Sequence, residues 1–174
     1  NSVVTAIEVS IDPSRAAQTY NAAGKIVTPG LIDLMAHTWT RNPMGIAPDV
    51  LAAAEGTTTV VSPGDPGPGS IRAYRKQVVE PSQARAFTYV MVSAFGYDLW
   101  PATEVPSEKY INVDDIAGAC IENSDIVIGI KVRLSESIIG NLDLLPLQRA
   151  LDAAAIAEAA TGKKGRASRR VLWD

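Results

Sequence analysis

The stretch Gly24-Lys-Ile-Val-Thr-Pro-Gly-Leu-Ile-Asp-Leu-Met-Ala-His-Thr-Trp39 decides the fold of this chain. Pro29-Gly30 is typical of a turn, and residues 31–37 are then typical of a strand. Because side chains alternate along a strand, one face is expected to carry Leu31, Asp33, Met35 and His37. The only histidine of the 174 residues is therefore expected at the end of a strand, with an acid on the same face.

The remainder of the chain alternates strand and helix patterns. We predict strands over 57–61, 86–94 and 125–133 from their β-branched or continuously apolar residues. Helices are predicted to begin near Pro48, Ser70, Asp114 and Pro146. Such alternation favours an α/β fold with a parallel sheet and right-handed crossovers. Since a complete (β/α)8 barrel takes ~250 residues, this length accommodates about four strand–helix units, which is a partial TIM-type barrel.

Charge, cysteine content and hydropathy exclude several classes of function. The sequence has no run of about 18 or more apolar residues, so we predict no membrane partner. The net charge is −3, and the part before residue 163 is at −7, which argues against a nucleic-acid partner. The single cysteine, Cys120, cannot form an internal disulfide and is expected to be a buried thiol in a reducing, cytoplasmic compartment.

Lys131 lies inside the predicted fourth strand, where a bare cation is costly to bury. Two interpretations are open. In one, the amine extends out at the end of the sheet and pairs with an acid. In the other, CO2 carboxylates the amine, and the resulting anionic oxygens can bridge two divalent metals.

Three phrases of the sequence resemble the amidohydrolase superfamily, in particular its dihydroorotase-like and N-acyl-amino-acid deacetylase branch. Residues 27–34 followed by His37 resemble the first barrel strand, whose pattern is Pro-Gly-x-Ile-Asp-x-His-x-His. Residues 55–61 resemble the second strand, and residues 128–133, which include Lys131, resemble the fourth. The chain departs from the pattern at Met35, which occupies the position of the first histidine.

The resemblance implies a metal-dependent hydrolase of amide, cyclic imide or related ester bonds. It implies a divalent metal, with zinc expected first and manganese or iron as alternatives, and CO2 held as a lysine carbamate. In that scheme His37 ligates one metal, carboxylated Lys131 bridges the pair, and Asp33 orients the ligands at the strand ends. The substrate would be a small-molecule amide or ester.

The same resemblance indicates an incomplete ligand set. The family takes two more histidines and an aspartate from the fifth, sixth and eighth strands, and we expect the chain to end before them. Met35 offers a thioether, a weaker zinc ligand than imidazole. His37 and Lys131 are thus two ligands at most, whereas a catalytic zinc ion takes three. We expect an enzyme that is truncated or depends on self-association as a homo-oligomer, the alternative being a non-catalytic relic or interaction module.

The resemblance also divides the chain into three parts. Residues 1–28, with a predicted strand over Ser2–Val9, would be a partial small β-subdomain, and residues 29–162 the partial barrel. Residues 163–174 are an atypical basic tail, in which five basic residues and one acidic residue give a net charge of +4. Because the family has an apolar strand here, we expect this tail to be a frame-shifted or otherwise artificial end.

Two further residues, Arg133 and Tyr97, are candidates for binding substrate. Arg133 at the end of the fourth strand could hold a carboxylate, or form a surface salt bridge. Tyr97 and Trp100, in the loop after the third strand, could line a pocket or merely cover the core. The glycine- and proline-rich residues 62–70 are expected to form a loop at the carboxyl end of the second strand, which is the face where barrels bind substrates.

Overall fold

The computed structural model describes residues 3–99, 104–105, 107–162 and 171–173. Among these residues, five strands form one parallel sheet in which every strand pairs with its neighbours in sequence. The strands are β1 (Leu31–Asp33), β2 (Thr57–Ser62), β3 (Arg85–Met91), β4 (Val127–Val132) and β5 (Val171–Trp173). This is the strand order of a (β/α)8 barrel, and the predicted α/β class is confirmed.

Helices connect the strands, and four of the five helices in the described residues begin near the positions that the sequence predicts, whereas the short helix over Glu136–Ile139 was not predicted. They are α1 (Pro48–Glu55), α2 (Ile71–Tyr74), which continues as a π-helical turn over Arg75–Val79, α3 (Val113–Glu122), α4 (Glu136–Ile139) and α5 (Leu145–Thr161). Helix α1 begins at a proline and ends at Gly56, whose φ of 72° is left-handed. Helix α3 begins where the side chain of Asn112 accepts a hydrogen bond from the N–H of Asp115.

The core lies between the central strands and the helices that cover them. Val60, Val90 and Ile130 are fully buried and pack in one cluster with residues of α3 and α5. Helix α5 contributes small side chains, namely Ala150, Ala153, Ala154 and Ala157. Leu151, on the same helix, is 46% exposed and lies off this face. The alanine face lets α5 approach α3 closely, which the larger leucine would prevent.

The first strand is shorter than predicted. Strand β1 ends at Asp33 because the carboxylate of Asp33 accepts a hydrogen bond from the N–H of Met35 at 2.9 Å and turns the chain. Side-chain alternation therefore does not govern Met35 and His37. Residue 37 is instead positioned through its neighbour, because the N–H of Ala36 donates to the carbonyl of Val61 at 3.0 Å.

The predicted strand over Ser2–Val9 is wrong for the part that the structure describes, since residues 3–30 contain no strand. A strand needs a neighbour to satisfy its backbone groups, and no described residue pairs with this segment. Its apolar side chains are exposed, with Val4 at 80% and Ile7 at 90%. The domain boundaries at residues 28 and 162 stay predictions.

The expectation that the chain ends before a fifth strand is also wrong. Residues 171–173 pair in parallel with β4, with Ile130 opposite Val171 and Val132 opposite Trp173. The unpaired backbone groups of β4 offer a template that an apolar Val-Leu-Trp segment can extend. Residues 163–170 and 174, the rest of the predicted basic tail, lie outside the described residues. Within the described part, no helix is both long and apolar enough to cross a membrane.

Candidate active site

Loops that follow β1, β2, β3 and β4 meet at the carboxyl edge of the sheet and enclose a cavity of about 220 Å³. The residues that line the cavity are Met35, His37, Met44, Pro63, Tyr97, Lys131 and Arg133. Four of the five predicted site residues are in this set. The structure thus brings together side chains that lie nearly a hundred positions apart, as a parallel sheet does with residues at the ends of its strands.

The imidazole of His37 is held by a buried carboxylate. Its Nδ1 lies 2.5 Å from Oδ1 of Asp65, a residue that is 1% exposed. The edge contact of the ring with Tyr97 has a centroid distance of 4.9 Å. Because Nδ1 is engaged by Asp65, Nε2 is the ring nitrogen left for a ligand or a proton in the cavity.

Asp65 also holds the loop that carries His37. Its Oδ2 accepts hydrogen bonds from the N–H groups of Thr38 and Trp39 at 2.7 and 3.1 Å. Its own N–H donates to Oγ of Ser62 at 3.0 Å, and its carbonyl accepts from the N–H of Tyr97. Asp65 therefore joins the loops after β1, β2 and β3.

Sequence reasoning missed Asp65. The signal that could have found it is an acid within the Pro-Gly-Asp-Pro segment directly after a buried strand. A carboxylate at this place follows the carboxyl end of a strand, where its neighbours are also the ends of strands.

Lys131 is 1% exposed and lines the cavity from β4. Gly64 lies directly over its stem, with a φ of +110°, and a Cβ at this glycine would lie 2.9 Å from Cβ of Lys131. The loop after β2 can approach the lysine only because residue 64 has no side chain. This burial disagrees with the interpretation in which the amine extends out to solvent.

Arg133 forms an ion pair with Glu104, which is 1% exposed, at the rim of the cavity. Burial lowers the pKa of Arg133, but Glu104 and Tyr97 raise it by more, so that the net pKa is above its ordinary value. Arg133 thus forms a salt bridge, as one of the two predicted alternatives has it, but the partner of the arginine is buried and does not lie at the surface. Arg133 keeps a place on the cavity wall.

Asp33 and Met35 lie at the end of β1 and in the turn that follows it. Asp33 lies outside the set of described residues that line the cavity, and its carboxylate holds the turn that leads to Met35. Met35 does line the cavity, although its side chain is 55% exposed. The predicted partner Trp100 lies outside the described residues.

The donor atoms of the described residues do not by themselves fit a catalytic zinc ion. They offer one imidazole, one amine that could ligate only after carboxylation, and the thioethers of Met35 and Met44. No group of three or more His, Cys, Asp or Glu side chains that could hold a metal is found among the described residues. A catalytic zinc ion takes three protein ligands.

Comparison with known sequences finds deacetylases. The chain is 29% identical over 149 residues to a deacetylase from Agrobacterium fabrum, a match that covers 83% of the chain and 36% of that protein. A deacetylase from Brucella anthropi is also 29% identical, with 83% and 37% covered. The chain thus spans little more than a third of the length of these relatives. No family model matches the chain.

Comparison with solved structures finds the same architecture. A dihydroorotase crystal structure superposes with a TM-score of 0.70 and 30% identity, over 75% of this chain and 37% of that one. An adenine deaminase superposes with a TM-score of 0.68 and 24% identity, over 75% and 35%. At that identity, the second likeness shows the fold alone. The predicted partial (β/α)8 barrel is confirmed.

Proposed function

We propose, on the premise that these deacetylase relatives and structural neighbours indicate the amidohydrolase superfamily, that the chain carries part of the active site of a metal-dependent hydrolase. Its substrates would be small molecules with an amide, cyclic imide or related ester bond. The observation that carries the proposal is the meeting of His37 and Lys131 in one cavity at the carboxyl edge of the sheet.

The proposed roles follow from where each side chain lies. His37 offers Nε2 to a divalent metal, zinc first and manganese or iron as alternatives, while Asp65 engages Nδ1. Carboxylated Lys131 would be the bridging ligand, and its buried position under Gly64 shields a carbamate from bulk solvent. Asp33 would act by holding the turn at Met35.

Arg133 and Tyr97 would contact the substrate. Both line the cavity, and a guanidinium can bind a carboxylate or carbonyl oxygen of a small molecule. The cavity of about 220 Å³ suits a small-molecule substrate, and the net charge of −3 argues against a nucleic-acid partner. The single cysteine keeps the cytoplasm as the expected location.

The missing ligands would come from outside this set of residues, and a second copy of the chain is one source. Within the part of the chain that the structure describes, the edge strands β1 and β5 each have a neighbouring strand on one side only. Two copies related by a two-fold axis parallel to the strands would pair β1 of each copy with β5 of the other and bring two cavities to one mouth. Sedimentation at micromolar concentration should then show a dimer, whereas a stable monomer would refute self-association.

Metal content and intact mass together test the proposed function. We expect stoichiometric zinc, manganese or iron in the purified protein and a mass increase of one CO2 that Lys131→Met abolishes. Lys76→Met is the matched control, because Lys76 is an exposed lysine on the π-helical turn after α2. Protein that holds no metal and hydrolyses no N-acetylated amino acid would overturn the proposal.

A second candidate function is a non-catalytic interaction module on the same scaffold, which the methionine at position 35 favours. Met35→His separates the two candidates, since it replaces a thioether in the cavity wall with an imidazole. If the chain is an enzyme with a weakened site, this variant should bind zinc more tightly than the wild type. Unchanged, undetectable binding in both proteins would favour the interaction module.

A further inference from the structure

We infer that Asp65 is the positioning residue of this site: it fixes the imidazole of His37 as the tautomer with the proton on Nδ1, so that the lone pair of Nε2 faces the cavity. The family resemblance implies instead that Asp33 orients the metal ligands at the strand ends. The inference adds to the proposed function. It rests on that function only for the identity of the ligand that His37 binds.

The geometry of Asp65 separates two tasks between its two oxygens. Oδ1 lies 2.5 Å from Nδ1 of His37, while Oδ2 accepts from the backbone N–H groups of Thr38 and Trp39. The first oxygen orients the ring, and the second holds the chain on which the ring is carried. Position and orientation of the imidazole thus depend on one side chain.

The surroundings of Asp65 select the tautomer. Asp65 is 1% exposed, and a buried carboxylate is stable only when donors surround it. Its partners at Oδ2 are N–H donors whose protons are fixed by the backbone. At Oδ1 the partner is Nδ1 of His37, which satisfies the carboxylate only if it carries a proton. A neutral ring then has its lone pair on Nε2.

The ring has little freedom to escape this arrangement. Tyr97, which is 6% exposed, packs against it edge to face with an interplanar angle of 86°. The N–H of Tyr97 is bound by the carbonyl of Asp65 at 3.0 Å. The residue that orients the ring therefore also anchors the aromatic side chain that packs on it.

Asp33 is the matched contrast. Like Asp65, Asp33 is an acid near the carboxyl end of a strand, in this case the first strand. Its carboxylate accepts a hydrogen bond from the N–H of Met35, two residues along the chain. It holds a turn of the backbone and lies outside the cavity lining. Removal of its charge should leave the imidazole as it is.

The test uses the fact that the chain contains one histidine, so that its imidazole nitrogens give the only such signals in a nitrogen-15 NMR spectrum of untagged protein. Under conditions in which the ring is neutral, we expect a proton on Nδ1 in the wild type and in Asp33→Asn. In Asp65→Asn, the amide oxygen can still accept from Thr38 and Trp39, which turns the amide NH2 toward Nδ1. We expect the proton on Nε2 in this variant, by the same logic by which an Asp-to-Asn change gives the wrong tautomer in a serine-protease triad.

A wild-type ring protonated on Nε2, or an Asp65→Asn ring still protonated on Nδ1, would overturn the inference. Circular dichroism checks that each variant folds, and if Asp65→Asn does not, the wild-type tautomer alone decides. Zinc added to the wild type should shift the Nε2 signal and leave the Nδ1 proton in place, with binding about 10–100-fold weaker in Asp65→Asn. A correct tautomer with no response to zinc would refute the metal in the proposed function while the role of Asp65 stands.

Discussion

The centre of the sheet and its first strand carry the same kind of side chain but bury it to very different extents. In β3 and β4, Val90 and Ile130 are fully buried, whereas in β1 Leu31 and Ile32 are 59% and 62% exposed. The central strands have a strand on each side and helices over them, while β1 pairs only with β2 among the described residues. All four of these residues have aliphatic side chains. The difference in their burial therefore follows from the strands and helices that lie beside each strand.

The exposed apolar side chains continue on both sides of β1. Val27, Leu34 and Met35 are 80%, 67% and 55% exposed. Several exposed apolar side chains close together in sequence are typical of a segment that packs against another surface. The cavity thus has a well-packed wall on the β2–β4 side and an uncovered wall on the β1 side.

The sharpest test of this difference exchanges the same residue in both regions. Ile130→Ala should lower the free energy of unfolding by about 4 kcal/mol, because it leaves a cavity in a fully packed site. Ile32→Ala, at 62% exposure, should change it by less than about 0.5 kcal/mol. Urea denaturation measures both. If Ile32→Ala costs as much as Ile130→Ala, β1 is covered in solution by a partner.

A second pair of variants compares a buried ion pair with an exposed one. Arg133→Met leaves the carboxylate of Glu104, which is 1% exposed, without its guanidinium and should cost about 2–3 kcal/mol, below the usual value for a buried pair because Arg133 itself is partly exposed. Arg72→Met breaks the pair between Arg72 and Glu122, whose side chains are 80% and 57% exposed, and should leave the stability close to that of the wild type. Thermal unfolding measures the loss of stability in each variant. Equal losses would contradict the burial of the Arg133–Glu104 pair.

A third comparison concerns two glycines with positive φ. Gly64→Ala should destabilise the fold by about 1–3 kcal/mol, since its Cβ would lie 2.9 Å from Cβ of Lys131 in addition to the backbone strain. Gly24→Ala is the milder case, because its φ of +71° lies close to the left-handed region that alanine can adopt and no heavy atom lies within 4 Å. The loss at Gly64 should therefore exceed the loss at Gly24, by urea unfolding. Identical midpoints would contradict both the strain at Gly64 and its close approach to Lys131.

The smallest expected effect is the pH dependence of a pair that links α2 to the start of β4. The hydrogen bond from Arg75 lowers the pKa of Asp125. A carboxyl group whose pKa is lowered in the folded state adds stability above its unfolded pKa of about 3.9, and the gain is lost as the pH falls through the folded value. Asp125→Asn should therefore cost less than about 1 kcal/mol at pH 7 and nothing at low pH, by urea unfolding. A difference that persists at pH 2 would contradict this origin.

The sequence predicted the middle of the fold well because its signals there are local. Pro48 and Gly56 bound α1 as expected, and the β-branched residues 57–61 form β2. Such residues fix the backbone through their own sterics, whatever the rest of the chain does. The placement of His37 and Lys131 at one cavity followed from the parallel sheet and the resemblance together.

Apart from the early end of β1, which a local hydrogen bond at Asp33 causes, the misses depend on contacts between distant segments. Residues 2–9 alternate weakly, as a strand would, but no partner strand is found among the described residues. Val171–Trp173 became a strand only because β4 had a free edge. Asp65 was missed because the residues next to it in sequence do not indicate that the imidazole of His37 will lie beside it. These features are long-range pairings, which a local pattern does not contain.

The segment from Ser62 to Gly67 bears on how this cavity can change. Within six residues it binds the ring of His37, covers the stem of Lys131, accepts at Pro66 from the N–H of Met91, and contacts the backbone of Gly96 through Gly67. One inserted or deleted residue in this segment would shift several of these contacts together. A variant designed to change which substrates the pocket accepts should therefore alter the longer loops around it and leave residues 62–67 as they are.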